Sequence, residues 1–122
     1  MIRWWLAIAG LGGAASVIAG AFAAHFAEEP KTAELLRTGA FYGLVHATAL
    51  IAVIALAQGR EPRRGPASTA GWSFAIGLVL FSGSLFALAV SEARWLGWVT
   101  PFGGVALIIG WGALAMLALR RR

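Results

Sequence analysis

Few residues in this chain can do chemistry, and two of them sit together: Tyr42 and His46, within the apolar stretch Gly39 to Ala57. Four residues apart on a helix, they share a face. An imidazole about six residues into such a run lies roughly 9 Å along the helix axis, where an unpaired polar group costs several kcal/mol. His46 must therefore meet a partner on a neighbouring helix, and it is expected inside the bundle as a neutral ring. Its role is either that interhelical hydrogen bond or a ligand or proton site, since ionisable groups inside membranes are often functional.

The remaining polar candidates are His25, Ser82, Ser84 and Thr100. His25, at the end of an apolar run, is suited to the carbonyls of a helix C-terminus. Ser82 and Ser84 lie about 200° apart on a helix and cannot face one partner. Each is expected to bond a carbonyl one turn back or to pack closely beside Gly83. Catalytic constellations are missing: the chain has no Ser-His-Asp set, no HExxH, no Walker loop and no intramembrane carboxylate. With no cysteine, thiolate chemistry and disulfides are excluded. A haem or copper(I) ion held by His25 and His46 would need both at one depth with supporting groups, and neither condition is met. No enzyme, cofactor or metal site is expected.

These side chains must be positioned by membrane helices. The hydrophobic share is 60%, the charged share only 12%, and the mean hydropathy +0.79, beyond the roughly 45–50% apolar share of soluble domains. The net charge of +5 resides in short flanks. It fits anionic lipids at the cytoplasmic face and argues against a nucleic-acid partner. Four apolar runs predict an all-α integral membrane four-helix bundle, a single domain with spans at about 4–26, 40–57, 69–91 and 96–119. The first run follows Arg3 and contains Ala21-Phe22-Ala23, as a secretory signal would, but it exceeds a usual signal core and is read as a span. Pro30 and Leu35-Leu36 suggest a separate interfacial helix over about 30–38, with a bend at Gly39. The second helix is expected to stop at Gln58-Gly59. In the fourth, Pro101 removes a backbone donor, a loss the Thr100 hydroxyl can offset.

An even number of spans puts Arg3, Arg60, Arg63, Arg64, Arg120, Arg121 and Arg122 on one side, against Lys31, Arg37 and Arg94 on the other. Both termini are therefore expected in the cytoplasm. In that topology His25, Tyr42, His46, Ser82, Ser84 and Thr100 converge on the outer leaflet, while the inner half offers only Trp111. No pore within a monomer is expected. Gly12, Ser16, Gly20 and Ala24 recur every four residues as a ridge for close helix packing, which Gly83 supplements. Trp4, Trp5, Trp72, Trp95 and Trp98 read as interface anchors.

Four motifs occur in order: GAFAAH (Gly20 to His25), FYGLVHA (Phe41 to Ala47), LFSGSLF (Leu80 to Phe86) and TPFGG (Thr100 to Gly104). On these the chain resembles the domain-of-unknown-function family numbered 423, whose animal members are called transmembrane protein 256. The resemblance implies a four-helix protein of bacterial inner or mitochondrial membranes without an assigned activity, so no catalytic residues carry over. Three positions depart from the family pattern: Gly43 where glutamine is common, Phe86 where tyrosine is, and Ala23 where glycine is. The expectation is a multi-pass protein of the bacterial inner membrane, a non-enzymatic packing or accessory component that forms a homo-oligomer or joins a larger membrane complex. The alternative is small-molecule or ion binding or transport through the outward-facing polar cluster.

Overall fold

The structure is a computed structural model that describes residues 1–57, 61–62 and 64–120. The expected stop at Gln58-Gly59 and the arginines Arg60, Arg63, Arg121 and Arg122 lie outside the described residues. The fold is all-helical. Its first helix is Ile2–His25, its second Pro30–Leu56, its third Pro66–Val90 and its fourth Leu96–Arg120. Each is long and apolar enough to cross a membrane, where only a helix satisfies its own backbone.

The bend expected at Gly39 is absent, and the segment 30–38 is no separate helix. Glu29 is extended, Pro30 occupies the first helical position, and the helix runs unbroken to Leu56. Packing explains the continuity. Leu36 and Ala40 form one apolar cluster with Ala19 and Ala23 of the first helix, while Lys31, Glu34 and Arg37, three residues apart, all stay exposed. Gly39 serves close approach: a Cβ there would stand 2.6 Å from Cε1 of Phe86 on the third helix.

The third helix starts at Pro66 behind Gly65, whose φ of 97° is in the left-handed region that favours glycine. Its middle turn, Leu78–Ser82, is π-helical, a feature the apolar pattern did not reveal. Gly103 of the fourth helix rests on the backbone of Leu80 and Phe81 in that turn, where any side chain at 103 would collide. The first helix packs mainly on the second and the fourth on the third, with the second and third joined between them. Lipid tails are as apolar as leucine, so contact of this kind, between glycines and partner backbones or rings, is what favours helix association.

Gly12 and Ser16 take part as the small-residue ridge predicts, Gly12 beneath Leu78 and Ser16 fully buried. Ala24 does not and is exposed. A four-residue spacing drifts about 40° per step on a helix of 3.6 residues per turn, so the ridge leaves the contact after three steps. The buried line continues instead through Ala19 and Ala23, with Gly20 beside Ala40. Gly83 packs against nothing: it is exposed, and a Cβ added there would meet only open space. Trp5 is not an interface anchor either. It is fully buried, laid over the bare Cα of Gly71 and edge-on to Trp72 at 5.9 Å, whereas Trp4, Trp72, Trp95 and Trp98 are exposed.

Candidate functional site

His46 is 4% exposed. Its Nδ1 lies 2.7 Å from the carbonyl oxygen of Tyr42, one turn back. A carbonyl only accepts, so Nδ1 carries the proton and donates. On the other side the indole Nε1–H of Trp111, on the fourth helix, donates to Nε2 at 3.0 Å. Nε2 must then be bare, which makes the ring a neutral imidazole with both nitrogens engaged. Aromatic faces enclose it: Tyr42 stacks parallel with it at 5.9 Å, and Phe74 of the third helix lies at 5.8 Å from it and 5.1 Å from Trp111. Tyr42 also packs on Phe81 at 4.8 Å, yet remains 40% exposed.

The depth of His46 differs from the expectation. Because the second helix begins at Pro30, His46 stands about 24 Å from its start and about 15 Å from its end. Trp111 stands about 22 Å into the fourth helix, which runs the same way. The two therefore meet on the half nearer the termini, and Trp111, set apart by the sequence reading as an inner-half residue, is the partner of His46.

Toward the opposite end, the hydroxyls form a second arrangement. Ser82 Oγ, buried in the π-turn, donates to the carbonyl of Gly39 on the second helix at 2.8 Å. Ser84 and Thr100 lie 2.6 Å apart, joining the third helix to the fourth, and Ser84 Oγ donates to the carbonyl of Phe81 at 2.9 Å. A hydroxyl has one proton, so with Ser84 donating to Phe81, Thr100 donates to Ser84. Thr100 thereby turns away from the task of offsetting Pro101 and keeps only a long approach, 3.4 Å, to the carbonyl of Leu96. Ser84 keeps a carbonyl about one turn back, as expected, whereas Ser82 does not: its hydroxyl reaches across to the second helix, so the two serve different neighbours, as their angular separation requires.

The six candidates thus do not form one cluster. Thr100 and Trp111 are about 16 Å apart along the fourth helix, and His25 is separate again, exposed at the end of the first helix beside Phe26. Gly43, outside the expected polar cluster, lies where the first three helices meet, with the hydroxyls of both Ser16 and Ser82 against it. Its departure from the family's glutamine was the signal available. Chemically, the arrangement is a set of hydrogen bonds within and between helices that leaves His46, Ser82 and Ser84 each engaged. Among the described residues no three His, Asp or Glu side chains come together as a metal-ligand set.

Comparison with known proteins agrees with this picture. A family model described as "Protein of unknown function (DUF423)" matches residues 19–104. The chain is 41% identical over 104 residues to the UPF0382 membrane protein YwdK of Bacillus subtilis, covering 83% of this chain and 84% of that one. A UPF0382 membrane protein of Haemophilus influenzae is 40% identical over 114 residues, with 91% and 90% covered. The UPF0382 inner membrane protein YgdD of Escherichia coli is 36% identical over 124 residues, with 97% and 91% covered. No solved structure matches the chain. With four helices of spanning length, these relatives make it a multi-pass protein of the bacterial inner membrane.

Proposed function

We propose, from the premise that this chain belongs to the DUF423 family, that it is a non-enzymatic component of the inner membrane that acts by packing, with its own copies or within a larger membrane assembly. The observation that carries this reading is the engagement of the buried histidine and of the buried serines of the third helix, with the Trp5 indole N–H left as the one buried side-chain donor without a partner among the described residues. His46 is filled by Tyr42 and Trp111, Ser82 by Gly39, and Ser84 by Phe81 and Thr100. A binding or transport site needs polar groups that are open to a solute, and these are closed on one another. The first and fourth helices meanwhile bury the least of their length inside the chain, leaving broad apolar faces for other helices.

Both termini face the cytoplasm in this reading. Arg3, Arg64 and Arg120 flank helix ends on the side of the termini, and the sequence adds Arg60, Arg63, Arg121 and Arg122 there, against Lys31, Arg37 and Arg94. Native mass spectrometry of the purified protein in mild detergent tests the function. A stable homo- or hetero-complex is expected. A monomer that retains a metal ion or a small molecule other than a phospholipid would instead establish the binding reading.

A further inference from the structure

An open cleft of about 340 Å³ lies where the start of the third helix meets the end of the fourth. Its floor is a single stripe of the fourth helix, Ile109, Ala113 and Met116, and Arg120 stands at its mouth opposite Gly65 and Thr69. The spacing 109, 113, 116, 120 keeps one face of a helix. From Ile109 to Arg120 the stripe runs about 16 Å, close to half of a hydrocarbon core roughly 30 Å thick.

The mouth is positive twice over. The guanidinium is close enough to Gly65 that a Cβ there would lie 3.9 Å from Nη1, and Gly65 is the cap of a helix N-terminus with no side-chain cap of its own. A helix N-terminus carries roughly half a positive charge. Arg64 adds another cation beside it in sequence. Among the described residues no carboxylate lines the cleft, and Glu61, in the same connection, is paired with the amino group of Met1 at 3.4 Å. Two positive groups converging at the top of an apolar groove have electrostatic complementarity to an anionic head on a hydrocarbon tail. The opposite end of the bundle contrasts with it: the cleft there mixes Glu29 and Glu92 with Lys31 and Arg94.

We propose that this cleft binds one anionic phospholipid of the leaflet at the termini side, its phosphate between Arg120 and the start of the third helix and one acyl chain along Met116, Ala113 and Ile109. A zwitterionic lipid of the same chains fits worse, because its ammonium group would face Arg120 and finds no acid among the described residues of the cleft.

The test is native mass spectrometry of lipid adducts on the full chain, titrated in detergent with phosphatidylglycerol or phosphatidylethanolamine of identical acyl chains. Wild-type protein is expected to retain the anionic lipid preferentially. Arg120→Ala should reduce that retention about fivefold, and Arg3→Ala, which removes a charge at the same end but outside the cleft, should leave it near wild type. Met116→Trp, at a side chain 47% exposed, should obstruct the groove and lower retention with the helical circular dichroism unchanged. Ile109→Trp, at a side chain 50% exposed, repeats that test if the first variant misfolds. Equal retention of the two lipids, equal losses for Arg3→Ala and Arg120→Ala, or full retention by the tryptophan variants would each overturn the assignment.

Discussion

The indole nitrogen of Trp111 donates to Nε2 of His46 at 3.0 Å, tying the fourth helix to the second, two helices that otherwise scarcely touch. Breaking that bond from either side should therefore loosen the same joint. His46→Leu and Trp111→Phe are each expected to cost about 0.6 to 2 kcal/mol. The double variant should cost less than their sum, by a coupling of about 0.6 to 1.7 kcal/mol. His46→Gln, whose amide can still accept from the indole, should melt nearer wild type. Thermal unfolding in one detergent measures all four, and strict additivity would show that the bond contributes nothing.

The same geometry predicts the tautomer. Nitrogen-15 spectra of histidine-labelled protein in bilayers should show His46 with a protonated Nδ1 and a bare, hydrogen-bonded Nε2. Trp111→Phe should shift the Nε2 resonance most. A proton on Nε2 in the wild type would place two N–H groups against each other and contradict the pairing.

Two glycines should respond oppositely to one added methyl group. Gly103→Ala pushes a Cβ into the backbone of Phe81, which cannot rotate aside, so a loss of about 1 to 3 kcal/mol is expected. Gly83→Ala meets open space and should be neutral or gain up to about 1 kcal/mol from helix propensity. Melting curves of the two variants decide it; comparable losses would mean that Gly83 is packed after all.

The topology is checked by labelling single cysteines in a chain that has none of its own. With cytoplasmic termini, Glu92→Cys should react with a membrane-impermeant maleimide in intact spheroplasts, and Ser68→Cys only after lysis. The reverse pattern would invert the orientation.

How much of this was legible beforehand depended on whether a property is local. The four spans are local: a long apolar run in hydrocarbon has to become a helix, whatever surrounds it. So are the shared face of Tyr42 and His46 and the incompatible directions of Ser82 and Ser84, since both follow from 3.6 residues per turn. The need of His46 for a partner on another helix was also readable, from the cost of an unpaired imidazole in lipid. The identity of that partner was not. It depended on the second helix running on through Gly39, a glycine that looked like a bend and is in fact the seat for the ring of Phe86. That continuity places His46 level with Trp111 and parts it from Thr100. Ala24 and Gly83 show the same limit: a small residue invites close packing, but only the assembled neighbours determine whether anything approaches. The π-turn at Leu78–Ser82 likewise leaves no trace in the apolar pattern, because widening one turn changes hydrogen-bond partners and helix phase without changing composition. Tertiary structure decided these points because rotation and depth are set jointly by two packed helices, and one strand of sequence describes each helix alone.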